Sequence, residues 1–236
     1  MKIEIWSDFV CPFCYIGKRR LEKALEQFPH KAEVELVFKS YELDPNAPQE
    51  NDQHIHEALA AKYGMSVEQA KQMNENIGRQ AAELGLEFNF DNMRPTNTFH
   101  AHRLAKYAKD QGKEKEMVER LLKAYFTDSM SVNDQAVLLE LAREVGLQQE
   151  AVQALLASDR FTEEVRADEN LARTLGVQGV PFFVINDKYA ISGAQPAEAF
   201  LSALQKVWEE ENEEPVLTDL STKATGSTCT NESCDI

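Results

Sequence analysis

The sequence predicts an α/β fold in which a β-α-β unit at the start of the chain and an α-β-β-α unit near its end flank a long helical segment. Three observations lead to this prediction. Apolar and polar side chains alternate in residues 2–6 and again in 34–38, as in half-buried strands. After Asp44, about 115 residues show helical periodicity and hardly any strand pattern. Two short apolar runs then follow, 182–185 and 189–191, joined by Asn-Asp-Lys, a hairpin signal.

The first unit begins with a strand in which Ile3 and Ile5 share one face. A helix is predicted from about Pro12 to Phe28, because proline fits the first helical turn, where its missing N–H costs nothing. Its apolar stripe has the spacing i, i+3, i+4, i+7 and consists of Leu21, Ala24, Leu25 and Phe28. The second strand lies in EVELVFKSYEL, so the unit is most simply a right-handed crossover between parallel strands.

The middle of the chain is predicted to be a helical module. Ser66 and Gln69 form a capping box for a helix that runs to about Leu84 and ends at Gly85. Four more helices are predicted: from Asn97 or Thr98 to Gly112, across residues 118–125, from an Asn133 N-cap to Gly146, and in QQEAVQALLAS.

The second unit begins with a helix from Thr162 to Gly176 and closes with a helix from about Pro196 to Glu211. The last residues are acidic and then Ser/Thr-rich, a composition typical of flexible tails. We therefore predict three parts: one domain formed by residues 1–44 and 162–212, an inserted helical domain at 45–161, and a tail at 213–236.

Composition limits the classes of function. The 236 residues are 43% hydrophobic and 28% charged, as in soluble globular proteins, and no apolar run approaches the ~20 residues that span a bilayer. The N-terminus has no signal-peptide pattern, so a cytoplasmic location is expected. The formal charge of −15, without a basic stripe, argues against binding to nucleic acid or anionic membranes.

The four cysteines form two close pairs, Cys11 with Cys14 and Cys229 with Cys234. In a chain expected in the cytosol, such pairs indicate redox or metal chemistry rather than structural disulfides. Cys11 precedes a predicted helix, where unpaired N–H groups and the helix dipole stabilise a thiolate, so it is the expected nucleophile. Cys14, one turn later, faces inward and can close the disulfide.

The segments DFVCPFCYIGK and GVPFFVIN, with NTFHAHRLA as a lesser cue, resemble the DsbA family of the thioredoxin fold. With the helical insertion, residues 1–208 are similar to its cytoplasmic FrnE-like branch, which is related to the 2-hydroxychromene-2-carboxylate isomerases. The resemblance implies a thiol–disulfide oxidoreductase in which Cys11 attacks and Cys14 resolves. It also implies a cis-proline loop at Pro181 beside the thiols, with the backbone of Val180 offered to an extended substrate.

Two further residues are candidates for substrate binding. Phe13 lies between the cysteines, and the dipeptide there tunes the stability of the thiolate. Since phenylalanine adds no positive charge, we expect a couple less oxidising than that of periplasmic relatives, and hence a reductase or isomerase. The family motif makes His102, in AHRL, a candidate residue for lining the active-site groove. Packing in the core or on the surface is the more ordinary role for such a histidine.

Several alternatives remain open from the sequence. The two cysteine pairs could form a four-cysteine zinc site, but we predict no metal because Pro181 would occupy the approach. Cys229 and Cys234 are either a second redox pair or bystanders. The runner-up function is a glutathione-dependent isomerase or transferase, although those relatives typically carry serine at the position of Cys11. A binding module or chaperone with incidental thiols is a third.

The expected partners are proteins or small molecules that contain thiols or disulfides. No tightly bound cofactor is expected, and glutathione or another thiol is the candidate co-substrate. The sequence identifies neither the substrate nor the oligomeric state.

Overall fold

The computed structural model describes residues 1–48 and 52–212, so the predictions for Cys229 and Cys234 lie outside the described residues. The described part contains a four-stranded sheet in the order β2-β1-β3-β4. Strand β1 pairs parallel with β2 and antiparallel with β3, and β3 pairs antiparallel with β4. The strands are β1 Lys2–Ser7, β2 Glu35–Ser40, β3 Phe182–Ile185 and β4 Tyr189–Ser192.

Most of the remaining described residues are helical. Six helices lie between β2 and the helix that precedes β3, in the stretch where the sequence shows helical periodicity. The α-helices are α1 Pro12–Gln27, α2 Ile55–Tyr63, α3 Val67–Ala82, α4 Phe99–Asp110, α5 Glu114–Phe126, α6 Gln135–Val145, α7 Gln149–Leu156, α8 Thr162–Thr174 and α9 Ala197–Asn212. Short 3-10 helices are Lys31–Glu33 and Phe90–Asn92.

The central strand β1 is buried on both faces. Ile3 and Ile5 belong to the main hydrophobic core together with residues of α1 and α9, and Phe183 of β3 packs edge-on against Phe200 of α9. Trp6 points to the opposite face, where its indole N–H donates to the carbonyl of a residue in α8 at 3.0 Å. The sheet is therefore covered on both faces, which fixes the end of β1 that leads into Cys11.

The hairpin prediction is confirmed. Asn186 and Asp187, between β3 and β4, have φ values of 50° and 56°. This left-handed region suits asparagine and aspartate, whose short polar side chains reduce its cost. The Asn186 side chain also accepts a hydrogen bond from the backbone of Lys2, which ties the turn to the start of β1.

One predicted helix cap is wrong. Asp134 rather than Asn133 caps α6, and its carboxylate accepts hydrogen bonds from the backbone N–H groups of Ala136 and Val137. Both residue types are good N-caps, so spacing alone could not decide between neighbours. By contrast, Ser66 forms the predicted capping box at the start of α3.

The short helix α2 was not predicted from the sequence. Its N-cap is His54, whose ring nitrogen accepts a hydrogen bond from the backbone N–H of His56, and Glu57 completes a capping box. Histidine is not among the preferred N-cap residues, and the helix is only weakly amphipathic. The two usual sequence signals of a helix are therefore missing.

Candidate active site

Cys11 is the N-cap residue of α1, as the sequence predicts, and Pro12 is in the first turn. The backbone N–H of Cys11 donates to the carbonyl of Asp8, and that of Cys14 donates to the carbonyl of Cys11. No acidic side chain lies in the first turn of the helix. The helix dipole therefore favours negative charge on the Cys11 sulfur without competition from a carboxylate in that turn.

Cys14 lies one turn further on and is 2% exposed. Its sulfur accepts a hydrogen bond from the backbone N–H of Asp8 at 3.4 Å, and it also interacts with the Ser7 hydroxyl and the Cys11 thiol. Burial, followed by the interaction with Cys11, raises the pKa of the Cys14 thiol well above its ordinary value, against the opposite effects of Asp8 and Ser7. Both cysteines are free thiols, and burial disfavours the thiolate form of Cys14.

The peptide bond between Val180 and Pro181 is cis, and this loop faces the cysteine pair. The Cys11 thiol donates to the carbonyl oxygen of Val180 at 3.5 Å. Pro181 is buried against Gly17 of α1, and its own carbonyl accepts a hydrogen bond from the backbone of Gly193. The structure thus brings Cys11, Cys14, Val180 and Pro181 together.

Phe13 is 41% exposed and borders a groove between the start of α1 and α3. The groove has a volume of about 440 Å³, and its lining is uncharged. Besides Phe13, the lining consists of Gln69, Gln72, Met73, Asn76, Ile77 and Gln80. The side chain between the cysteines is therefore available for contact with an incoming molecule.

His102 does not lie in this groove. It is 3% exposed, and its Nε2 is 3.4 Å from Oδ1 of Asp8, which is itself 1% exposed. The other carboxylate oxygen of Asp8 accepts a hydrogen bond from the backbone N–H of Leu43 at 2.8 Å. The expectation that His102 contacts substrate is thus not met, because helix α4 holds the ring inside the core beside Phe9.

Glu42 is buried near His102 and Asp8 and pairs with the partly exposed Arg166, and sequence reasoning singled out neither residue. The Glu42 side chain is fully buried, and one of its oxygens accepts a hydrogen bond from Arg166 Nη1 at 2.5 Å. Burial raises the pKa of Glu42, although Arg166 and His102 act in the opposite direction. No pattern in the sequence relates Glu42 to Arg166, because 124 positions separate them.

Within residues 1–48 and 52–212, no group of three or more His, Cys, Asp or Glu residues is arranged to hold a metal ion. The zinc alternative needs Cys229 and Cys234, which lie beyond this part of the chain. No helix in the same ranges is long and apolar enough to cross a membrane.

Comparisons with known proteins agree with this arrangement. A family model for a DSBA-like thioredoxin domain matches residues 2–205. A probable DsbA oxidoreductase from Streptomyces coelicolor is 45% identical, with a TM-score of 0.86 over 92% of this chain and 93% of that one. An uncharacterized protein of Bacillus subtilis, YwbO, is 28% identical over 86% of this chain and 94% of its own length. A 2-hydroxychromene-2-carboxylate isomerase shares the fold at 16% identity, with a TM-score of 0.66 over 89% of this chain and 98% of that one.

Proposed function

We propose, from the premise that this chain belongs to the DsbA-like thioredoxin domain family, that it is a thiol–disulfide oxidoreductase acting through Cys11 and Cys14. The family and the α/β thioredoxin-like fold with a helical insertion were both predicted from the sequence, and both predictions are confirmed. The geometry that supports the specific reaction is the Cys11 thiol at a helix N-terminus, 3.5 Å from the Val180 carbonyl, with Cys14 buried behind it.

In the reductive direction, the Cys11 thiolate attacks one sulfur of a substrate disulfide. A Cys11–substrate S–S bond forms, the substrate S–S bond breaks, and the first substrate sulfur leaves as a thiolate that takes up a proton. Cys14 then loses its proton and attacks the sulfur of Cys11. The Cys11–Cys14 disulfide forms and the second substrate thiol leaves, so two electrons pass from the protein to the substrate.

We propose the reductase or isomerase direction because Phe13 brings no positive charge to the Cys11 thiolate. A less stabilised thiolate makes the dithiol a better reductant, since the reduced form gains less from its surroundings. The proposed substrates are proteins or small molecules with disulfides, and glutathione or another thiol would re-reduce the pair. The cytoplasmic location stays a prediction.

The runner-up is a glutathione-dependent isomerase of the 2-hydroxychromene-2-carboxylate type, whose fold this chain shares. The two functions differ at position 11, because thiol exchange needs a sulfur there. Cys11 and the adjacent Cys14 together favour the redox function.

The first experiment is the reduction of insulin by dithiothreitol with three proteins: the full chain, Cys11→Ser, and the chain truncated after Glu214. We expect turnover with the full chain and none with Cys11→Ser. A Cys229→Ser/Cys234→Ser double variant is the matched control for the truncation, because it keeps the tail and removes only its thiols. Slower turnover in both the truncated chain and the double variant would show that Cys229 and Cys234 exchange with Cys11 and Cys14 as a second redox pair.

Absence of turnover with the full chain would contradict a general disulfide reductase, and isomerisation with glutathione would then be assayed. Turnover that survives Cys11→Ser would contradict the role of Cys11.

A further inference from the structure

Resolution of the mixed disulfide requires a buried thiol to lose a proton. Cys14 is 2% exposed, so near neutral pH bulk water has little direct access to that proton. Among the described residues, the backbone N–H of Asp8 donates to its sulfur at 3.4 Å, and the Ser7 hydroxyl and the Cys11 thiol are the side chains whose hydrogen bonding affects its pKa. Of these groups, only the Ser7 hydroxyl can both accept the proton and donate one onward. The backbone N–H only donates, and the Cys11 sulfur is bonded to substrate in the mixed disulfide.

A small cavity lies beside Ser7. It is lined by Ser7 and His102, with Ser40 and Lys106 as further polar neighbours. Its volume of about 10 Å³ is close to the minimum that accommodates one water molecule, and such a water needs two to four polar partners. One water could therefore bridge the Ser7 hydroxyl and the imidazole of His102.

We propose that His102 of helix α4 relays the proton of the Cys14 thiol, through the Ser7 hydroxyl and one water in this cavity. The inference rests on the proposed function, since it concerns the second step of that reaction. His102 does not touch the reacting sulfur, so it is a positioning and relay residue rather than a catalytic one.

The charges around His102 suit this role. Asp8 accepts from Nε2 of the ring, which fixes the tautomer and leaves Nδ1 as the nitrogen able to take up a proton. The resulting imidazolium would lie beside the Asp8 carboxylate and near Glu42. Other charged groups that face the ring or its cavity are Arg166, paired with Glu42, and Lys39, Lys106 and Glu114 across the cavity, with Asp168 bound to both lysines.

The proton balance of the step is complete. Cys14 gives up its proton to the Ser7 hydroxyl, which passes a proton to the water, and the water passes one to Nδ1 of His102. The Cys14 sulfur then forms its bond to Cys11, and the bond between Cys11 and the substrate sulfur breaks. The substrate disulfide is the oxidant, and its departing thiolate takes up a proton from His102 or from solvent.

The test follows each step separately with a stoichiometric amount of dithiobis-nitrobenzoate, whose two coloured thiolates leave one after the other. The first release reports attack by Cys11, and the second reports resolution by Cys14. All proteins carry Cys229→Ser and Cys234→Ser, so that only the Cys11–Cys14 pair reacts. Stopped-flow traces are recorded at several pH values between neutral and alkaline.

For His102→Gln we expect an unchanged first release and a second release slowed at least about tenfold at pH 7. The difference from wild type should shrink as pH rises, because hydroxide then removes the Cys14 proton. A merely structural role for His102 would not produce this dependence on pH. The matched control is His100→Gln, on the same helix, where the side chain contacts Arg103; both releases should stay within about twofold of wild type.

Ser7→Ala tests the same relay if His102→Gln does not fold. It keeps the pair of Asp8 and His102 and removes the hydroxyl, and it should slow the second release with the same pH dependence. A second release at the wild-type rate in Ser7→Ala, or in folded His102→Gln, would overturn the relay. A missing first release in wild type would instead overturn the role of Cys11 and the proposed function with it.

Discussion

The ring of Pro181 lies where a side chain on Gly17 would begin: a Cβ built on Gly17 would be 2.9 Å from Pro181 Cγ. The same Cβ would lie 3.4 Å from both Ala194 and Phe183. Helix α1 therefore carries the cysteines at its N-terminus. One to two turns later it carries Gly17, whose lack of a side chain leaves space for the loop at Pro181. This close approach of helix and loop places the carbonyl of Val180 beside the thiol of Cys11.

Gly17→Ala should destabilise the protein and slow turnover of insulin. Overpacking costs about 1–3 kcal/mol, which exceeds the gain of about 1 kcal/mol from replacing glycine by alanine within a helix. The control is Gly78→Ala in α3, whose Cβ would meet its nearest neighbour at an ordinary 3.8 Å. That variant should be stabilised, and chemical denaturation compares the two. Equal stabilisation of both would show that the contact of Gly17 with Pro181 is not tight.

Phe13→His should make the Cys11–Cys14 pair more oxidising. A partly charged imidazole would stabilise the Cys11 thiolate, and a rise of about 30 mV corresponds to a tenfold change in the equilibrium with glutathione. Phe13 is 41% exposed, so the substitution exposes no core. The potential is measured by equilibration in glutathione buffers, with the neutral Phe13→Gln as control. A potential shared by both variants would rule out charge as the cause.

The reduced protein should lose stability as pH rises above about 8.5, the ordinary pKa of cysteine. The pKa of Cys14 is raised in the folded state, so above that pH the unfolded chain releases a proton that the folded chain retains. The free energy of unfolding then falls by up to about 1.4 kcal/mol per pH unit. Tyr15 and Tyr125, whose pKa values burial also raises, add to the loss only above about pH 10.

Denaturation with a reductant present, from pH 7 to 9.5, checks this linkage. In Cys14→Ala the curve of stability against pH should be flatter than in wild type. Parallel curves for the two proteins would mean that Cys14 ionises equally in the folded and unfolded states.

Arg166→Met should destabilise the protein at pH 7 by about 2 kcal/mol, because it leaves the carboxylate of Glu42 buried without its partner. We expect less than for a fully buried pair, since the Arg166 side chain is 40% exposed. The raised pKa of Glu42 means that its neutral form is favoured in the fold, so the loss should be smaller at pH 5 than at pH 7.

A Glu42→Gln/Arg166→Met double variant should recover much of this loss. The control is Arg173→Met on the same helix, where the arginine bonds to exposed Asn170, and its effect should stay below about 0.5 kcal/mol. Thermal unfolding at the two pH values gives both comparisons. A loss that does not depend on pH would assign the effect of Arg166 to packing on Phe99.

His54→Ala should cost about 1 kcal/mol, because it removes the N-cap of α2. His54→Asp should restore most of that, since aspartate is a preferred N-cap with an oxygen in a similar position. Helical content and thermal unfolding distinguish the variants. If His54→Asp is as unstable as His54→Ala, then the hydrogen bond of the imidazole to the carbonyl of Asp91 matters more than the cap.

Features that depend on neighbours in the chain were predictable. The alternation in β1 and β2, the left-handed turn at Asn186 and Asp187, and Cys11 at the start of a helix after Asp8 all follow from short segments. The wrong cap at Asn133 and the missed helix after His54 show the limit of the same reasoning, because each depends on which side chain reaches a backbone N–H.

The surroundings of the cysteines were decided by the tertiary structure. His102 meets Asp8 across 94 positions, and Arg166 meets Glu42 across 124. No local pattern encodes these pairs, because each forms only when a helix and a loop distant in sequence bury polar groups that must then find partners. The sequence by itself determined the two thiols and the helix end that favours a thiolate, since the dipole and the caps act within one turn. The tertiary structure decided which buried groups can move the proton of Cys14.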